Sequence, residues 1–569
     1  YFNKEEALVV MGHQCLTEPV KFALTGWELY LFPKRLTKCT NYRHENGRSV
    51  FVTGTPFFFG KTYSSTIEIL LQEAYNGNFP GTGLCGLYFL LQNDGKSLKF
   101  STDPGGIYSL FHSKDNMVLS SSFLSLCSGL PSLTPDKDAI TENLVTGSII
   151  GSETVFKEIR RFDPLNPASF KGIEYVKSVG RQALKYGFKN RRESIKGQLE
   201  VLDEYFSGLR QFVDEAGADS GITGGFDSRL LLSLSRRHFE KDKIQFHSHF
   251  RHNPDEDFRI GKSLCDNLAL EFITIPYKEF LPDSSDAEAI LERCMLYTDG
   301  QARTHSFWHE EFNGAENRIL TLGLKRLGLS GIGGEQYRNS ERLTATHINK
   351  INWIRYNLVR RSAGEPFISK AEENRLVERL DDKISGRLGL YGKSRVDLYS
   401  IKRYMNEVYI PANRGLRAIN DNRLAWSLLP FADYSVSRAA YKSVPFLGRS
   451  LDYEAEMIRF IDPQAASVES GYGYPFSRRE PVYKTMSFIL FENVLPWSLR
   501  QIISEKMLSR NTGIWRNLID ASTVLSKAES CLNEFSLPMD LKLLSVRTDI
   551  GPLVFALGFL MEKYKSKII

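Results

Sequence analysis

Nowhere in the 569 residues is there a run of about 18 apolar residues, so no segment reads as a helix that crosses a bilayer. The nearest approach, Pro552 to Met561, is too short and runs into Glu562, Lys563 and Lys565. It reads as a buried C-terminal helix. Cysteine is scarce and scattered: Cys15, Cys39, Cys85, Cys127, Cys265, Cys294 and Cys531 are odd in number and never spaced Cys-x-x-Cys. That excludes a zinc ribbon, a dithiol redox site and a disulfide scaffold, and makes a reducing cytoplasm the expected location. An excess of one charge is also lacking. Lys plus Arg is 73 against 67 Asp plus Glu, and the resulting +6 is too weak a field to argue for nucleic acid or an anionic membrane. The opening Tyr1-Phe2-Asn3-Lys4-Glu5-Glu6 lacks the basic-then-apolar pattern of a signal peptide, and the missing initiator Met predicts residues upstream of Tyr1. Internal repeats and low-complexity tracts are absent.

What is present fits an ordinary globular chain. Hydrophobic residues at 42% and charged residues at 25% supply ample material for large cores, and the length predicts several domains. About the first 180 residues read as strands and turns. Glu28 to Phe32, Val50 to Val52 and Gly86 to Leu91 are aliphatic and aromatic runs bounded by Gly, Pro, Asn and Asp. Helical pattern is sparse there, the best case being Ser65 to Asn76. The polar, basic stretch Lys185 to Lys196 reads as a linker. From about residue 197 helical periodicity (Leu199, Leu202, Tyr205, Phe206, Leu209, Phe212, Val213) gives way to strands alternating with helices, the signature of a parallel sheet. Beyond about residue 340 the pattern is mainly helical.

One segment carries chemistry. Asp219-Ser220-Gly221-Ile222-Thr223-Gly224-Gly225-Phe226-Asp227-Ser228-Arg229 is a small, polar, Gly-rich turn that feeds an apolar helix. Two adjacent glycines let the backbone approach an anion, and a helix N-terminus adds amide groups and a favourable dipole for phosphate. Thr223 and Ser228 bring hydroxyls, and Asp227 is placed to hold Mg²⁺ against phosphate oxygens. The spacing is neither a Walker loop nor a dinucleotide fingerprint. A strand–turn–helix corner with no ligand is the plainer alternative.

Thr223-Gly224-Gly225-Phe226-Asp227-Ser228 resembles the Ser-Gly-Gly-Leu-Asp-Ser pyrophosphate loop of the asparagine-synthetase family. A second family motif, Ser-Gly-x-Gly-(Ser/Gly)-Asp-Glu, is matched by Ser330-Gly331-Ile332-Gly333-Gly334-Glu335-Gln336. Pro254-Asp255-Glu256-Asp257 with Gly261 and Leu264 is similar to the family's acidic helix start. Upstream, Gly86 to Leu91, Asp103 to Leu110 and Gly147 to Pro164 look like its glutaminase-type domain, and Leu429-Pro430-Phe431-Ala432-Asp433 resembles its Pro-Phe-Leu-Asp segment.

The resemblance implies an α/β protein: a glutaminase-like (Ntn-hydrolase type) αββα sandwich over residues 1–180, then an ATP-pyrophosphatase (PP-loop) parallel-sheet domain with a helical C-terminal part over 197–569. It implies ATP and Mg²⁺ as cofactors. Thr223, Gly224, Gly225, Asp227 and Ser228 would hold the phosphates, with Ser330 in the second motif. Ile222, Ser248 and Gly331 would line the adenine and ribose pocket. Asp227 and Glu335 would be the Mg²⁺ carboxylates and catalytic acids, Glu335 replacing the usual Asp. The implied reaction is amide-bond formation through an acyl-adenylate, on a peptide or a small carboxylate substrate.

Departures from the family pattern narrow this. Tyr1 is no nucleophile and Cys15 is not terminal, so glutamine hydrolysis is not expected. β-Lactam synthetase and the lasso-peptide cyclases share that lack and use an amine already present in the substrate. Ile332 stands where amide-forming relatives place a Glu, Tyr or His. No lysine lies in Asp452 to Arg459, where relatives carry one, so Lys402, Arg403, Arg414, Arg417 or Arg459 must substitute, or activity is impaired. The latter gives the rival reading, a nucleotide-binding pseudo-synthetase acting as regulator or scaffold. AMP transfer or activation of a nucleic-acid base is a third reading, disfavoured because no nucleic acid partner is expected. A partner protein or a homodimer is left open. His247, His249 and His252 after a predicted strand, and His305 with His309 at helical spacing, are weaker candidates for metal or base roles. The doublets Arg160-Arg161, Arg191-Arg192, Arg236-Arg237, Arg360-Arg361 and Arg478-Arg479 read mostly as solvated faces, with at most one lining a channel for an acidic substrate.

Overall fold

The computed structural model describes residues 2–24, 26–37, 41–79, 83–181, 187–250, 255–276, 287–301, 311–341, 343, 348–359, 368–491, 495–496, 499, 523–540 and 551–569. His252, Pro254, His305, His309 and the Arg360-Arg361 doublet lie outside the described residues. The N-terminal half is built on a five-stranded sheet: β1 (Tyr42–Glu45), β2 (Arg48–Phe58), β3 (Leu84–Asn93), β4 (Leu98–Thr102) and β5 (Ile173–Tyr175). Its order is β5-β4-β3-β2-β1, antiparallel except for the parallel β4–β5 pair. Helix α1 (Tyr63–Tyr75) opens on Thr62, whose hydroxyl accepts the Ser65 amide at 3.1 Å, and buries Ile67, Leu70, Leu71 and Ala74 against the sheet. A three-stranded sheet (Phe111–Ser113, Leu119–Ser120, Ile159–Arg161) and the hairpin Val20–Leu24 with Trp27–Leu31 complete the strands of this half.

The expected linker is corrected at its C-terminal end. Helix α2 (Arg191–Ala216) already includes Arg191 to Lys196. Asn190 Oδ1 accepts the Glu193 amide at 2.9 Å, and Glu193 Oε2 accepts the Lys189 amide at 2.9 Å. This reciprocal cap starts a helix inside a run that composition alone marks as a spacer. Tyr205 of α2 meets Phe57 edge-on at 5.6 Å, so the helix shares one apolar cluster with β2 and β3. Main-chain links also join the halves: the Gly86 amide donates to Asp433 Oδ2 at 3.2 Å and the Ser427 amide to Thr55 Oγ1 at 3.1 Å.

The second half is a wholly parallel five-stranded sheet of β6 (Ala218–Gly221), β7 (Ile244–Phe250), β8 (Phe272–Pro276), β9 (Leu327–Leu329) and β10 (Trp426–Leu428). Its order is β8-β7-β6-β9-β10. Helices α3 (Phe226–His238) and α4 (Glu256–Asn267) connect the first three strands. The chain runs β6-β7-β8 outward in one direction, then returns to lay β9 and β10 on the other side of β6. The order therefore reverses between β6 and β9. Helices then dominate, among them α5 (Lys370–Leu388), α6 (Gly415–Leu424), α7 (Asp452–Ile461), α8 (Val482–Ile489) and α9 (Gly551–Lys563). Strand β10 is an exception to the expected helical region, because three residues buried on both faces show no periodicity. In α9 Leu553, Val554, Phe555, Leu557, Leu560 and Met561 are buried, as the sequence suggested. Among the described residues no helix is long and apolar enough to cross a membrane.

Candidate phosphate site at the sheet reversal

In an open parallel sheet ligands gather beyond the carboxyl ends of the strands, where the strand order reverses. Both sequence motifs fall there. The first leaves β6 as Ile222 to Gly225 and enters α3. The second leaves β9 as Ser330 to Gly334 and enters the short 3-10 turn Gly334–Tyr337. The two meet directly: a Cβ on Gly331 would stand 3.1 Å from Asp227 Cβ, and one on Gly334 would stand 2.2 Å from Asp227 Oδ1. Only glycine lets the second turn lie this close to the first turn of α3.

The first turn is held by small polar contacts. Gly225 caps α3 without a side chain, so the helix begins with its amide end uncapped by any side-chain oxygen. Thr223 Oγ1 and Ser228 Oγ lie 2.9 Å apart, and the Thr223 amide donates to Ser228 Oγ at 3.2 Å. The Gly224 amide donates to Asp257 Oδ1 at 2.9 Å, so the acidic start of α4 fixes the turn from one side. Asp255 caps α4, accepting from the Phe258 amide at 2.8 Å. From the other side the Gly471 amide donates to the Gly224 carbonyl at 3.0 Å, and the Phe226 ring stacks on Phe476 at 3.9 Å. Arg229 is wholly buried. Its guanidinium donates to the carbonyls of Ala465, Val468 and Glu469, and burial pushes its pKa down to about 10.

The remaining expected residues are placed as follows. Ile222 points into the core against Gly261 rather than into an open pocket. Ser248 is half-buried on β7, beside Thr274 of β8. Ser330 donates its amide to the Leu428 carbonyl at 3.1 Å, and its hydroxyl accepts from the Ile332 amide at 3.4 Å. Half-buried Glu335 turns one carboxylate oxygen back to the Gly333 amide at 3.2 Å.

Asp227 has a partner that sequence reasoning missed. Arg338 donates to Asp227 from both terminal nitrogens, Nη1 to Oδ1 at 2.5 Å and Nη2 to Oδ2 at 3.0 Å. Nη1 also reaches Glu454 Oε2 at 2.5 Å, and the guanidinium lies 5.4 Å over the Phe226 ring. Burial, opposed by Arg338, holds the Glu454 carboxyl well above the usual range, and the paired carboxylates hold Arg338 firmly charged against its burial. The signal was available: Arg338 follows Glu335 by one turn, and Glu454 lies in the run inspected for its missing lysine.

This arrangement does not fit the expected Mg²⁺ seat on Asp227. Both oxygens are already hydrogen-bonded, and Gly334 closes in on Oδ1. A divalent ion within about 4 Å of a guanidinium is repelled by roughly 8 kcal/mol at an effective dielectric of about 20. Of the cations considered as substitutes for the family lysine, Lys402 is buried and donates to the Glu335 carbonyl at 3.0 Å and to Glu341 Oε2 at 3.4 Å. Arg403 is committed to Glu407, Arg414 lies over Tyr409, Arg417 is exposed and Arg459 meets Glu456 and the Ser477 carbonyl. Lys484 of α8, also missed, donates to the Tyr472 carbonyl, next to the Gly471 that touches Gly224.

The other candidates have structural places. His247 is buried, not solvated as expected. Its Nε2 lies 3.0 Å from Asp219 Oδ1, which also accepts from Arg318 Nη1 at 3.0 Å. Among the described residues no cluster of three His, Cys, Asp or Glu side chains is arranged to hold a metal. Cys15 ends a helix and is buried, which pushes its thiol up to about 11. Arg236 and Arg237 pair with Asp462 and Asp203, and Arg161 covers the carbonyls of Ile149 and Gly151. Two doublets converge: Arg191, Arg192 and Arg479 line one cleft of about 730 Å³ with Lys196 and Arg459.

No protein-family model matches the chain, and no curated protein matches it. Among solved structures the chain is similar to a glutamine-dependent NAD+ synthetase from Acinetobacter baumannii in complex with ADP. The two are 14% identical over 35% of this chain and 41% of that one, with a TM-score of 0.18. A likeness of this size carries no argument about what this chain does.

Proposed function

We propose that the chain binds ATP on the Thr223–Ser228 turn and uses it to activate a carboxylate as an acyl-adenylate. An amine then attacks to form an amide. The observation that carries this reading is the meeting of two Gly-rich turns, after β6 and β9, at the reversal of strand order, with an uncapped helix start between them. Hydroxyls of Thr223 and Ser228 and the first amides of α3 would receive phosphate oxygens. Ser248, Ser330 and Gly331 would border the nucleoside. Charge developing on phosphorus would be met by cations packed behind the two turns, Arg338 on Asp227 and Lys402 behind Glu335, and by Lys484 behind Tyr472. The substrate class stays as wide as a peptide or a small carboxylic acid. In the same reading residues 1–180 form a glutaminase-like αββα sandwich, and residues 197–569 form a PP-loop domain.

Carboxylate-dependent exchange of pyrophosphate into ATP tests the proposal. Exchange is expected in the wild type and is expected to vanish in Asp227→Ala. A rival reading, a pseudo-synthetase, draws on the Asp227–Arg338 pair and on Gly471 lying against Gly224. ATP binding with no exchange across a broad panel of acids and peptides would favour that rival.

A further inference from the structure

We infer that the Arg338 guanidinium is the resident counter-cation of this phosphate turn, seated on Asp227 where the resemblance places a divalent ion, so that ATP is received here without Mg²⁺. The inference rests on the proposed ATP-binding turn and says which cation serves it. Three features carry it. First, the fork of Arg338 takes both oxygens of Asp227, at 2.5 and 3.0 Å, the geometry in which a guanidinium matches a carboxylate best. Second, the guanidinium is fixed from behind. Glu454 Oε2 accepts from Nη1 at 2.5 Å, the Phe226 ring lies at 5.4 Å, and Gly334 closes the other side of Asp227. Third, Glu454 is fully buried and its Oε1 has no hydrogen-bond partner among the described residues. Were Arg338 absent, the Asp227 and Glu454 carboxyls would together offer a divalent ion two oxygen ligands. With Arg338 present they hold a protein cation instead.

Two measurements on the full chain decide the matter, one with metal alone and one with ATP. In titrations with Mn²⁺ followed by electron paramagnetic resonance, the wild type is expected to show no bound ion that depends on Asp227. Arg338→Met is expected to gain one, and Arg338→Met with Asp227→Asn to lose it again. In calorimetry with ATP, the wild-type Kd is expected to change by less than about threefold between excess MgCl2 and EDTA. Arg338→Met in EDTA is expected to bind at least about tenfold more weakly and to recover with MgCl2. An Asp227-dependent Mn²⁺ site in the wild type, or ATP binding that requires Mg²⁺, overturns the inference while leaving the phosphate turn in place. Absence of ATP binding under both conditions overturns the phosphate turn and the inference with it. If Arg338→Met does not fold, adding Glu454→Gln removes the stranded carboxylate, and the wild-type measurements decide by themselves.

Discussion

Two arginine–aspartate clusters flank the same strand and have opposite characters. Asp219, within β6, is sealed: its side chain is 4% exposed and is shared by Arg318 and His247, with Arg318 in turn 3.8 Å from Asp421. Asp227, in the helix turn that follows β6, is gripped as tightly by Arg338, yet its side chain is 24% exposed. The chemistry is the same and the access differs. An ion pair inside a sheet serves the packing of that sheet, since removing one partner leaves a charge with nowhere to go. An ion pair at the carboxyl edge, beside an uncapped helix start and two glycine turns, stands where a ligand can reach it.

The comparison is broken or sharpened most forcefully by deleting each arginine. Arg318→Met strands Asp219 and Asp421 and is expected to cost about 3–5 kcal/mol in urea unfolding. Arg338→Met is expected to cost less, about 1–3 kcal/mol, because Asp227 can turn to water and buried Glu454, its carboxyl already held high by burial, can take up a proton. Equal or reversed costs would erase the distinction between the two clusters. A smaller, more local effect is expected from Gly334→Ala. Its new Cβ would press on Asp227 Oδ1 at 2.2 Å, shifting the carboxylate off Arg338. A loss of about 1–3 kcal/mol and weaker ATP binding are expected, measured by urea unfolding and calorimetry. Gly331→Ala, at 3.1 Å, should do less.

The smallest effect is the sealed cluster's share of the pH dependence of stability. Burial lowers the His247 pKa below its ordinary 6.5, against the opposing pull of Asp219. The unfolded chain then takes up the proton first, so stability declines as pH falls below about 6.5. Asp219 adds a further decline at lower pH. Burial raises its pKa, but Arg318 and His247 outweigh burial and hold it below 3.8, so its contribution is lost as pH falls through the folded value. His247→Gln is expected to flatten the first decline and leave the second, in unfolding midpoints measured from pH 8 down to about 3. A wild type equally stable across that range would show that the cluster is not sealed.

Legibility in the sequence followed length and repetition. Long elements announced themselves: α2 through its apolar period, β2 and β3 through aliphatic runs, α9 through its apolar density. The turn between β6 and α3 was legible as a turn because two adjacent glycines interrupt a strand and precede an apolar helix. Strand β10 was not, being three residues long, and the cap at Asn190 was concealed by basic neighbours. Arg338 was passed over for a different reason. Its partners Asp227 and Glu454 lie more than a hundred residues away on either side, and no spacing rule links them.

The sequence by itself determined which segments could become strands or helices, and where one glycine-rich corner would turn the chain from a strand into a helix. These are properties of neighbours along the chain, set by backbone freedom and the period of burial. Only the tertiary structure decided that the two glycine turns meet at the reversal of strand order. It alone decided that Asp227 faces a guanidinium and that His247 is buried on Asp219. Charges find their partners through space, and folding selects among many sequence-distant pairings the few whose burial is compensated by contact.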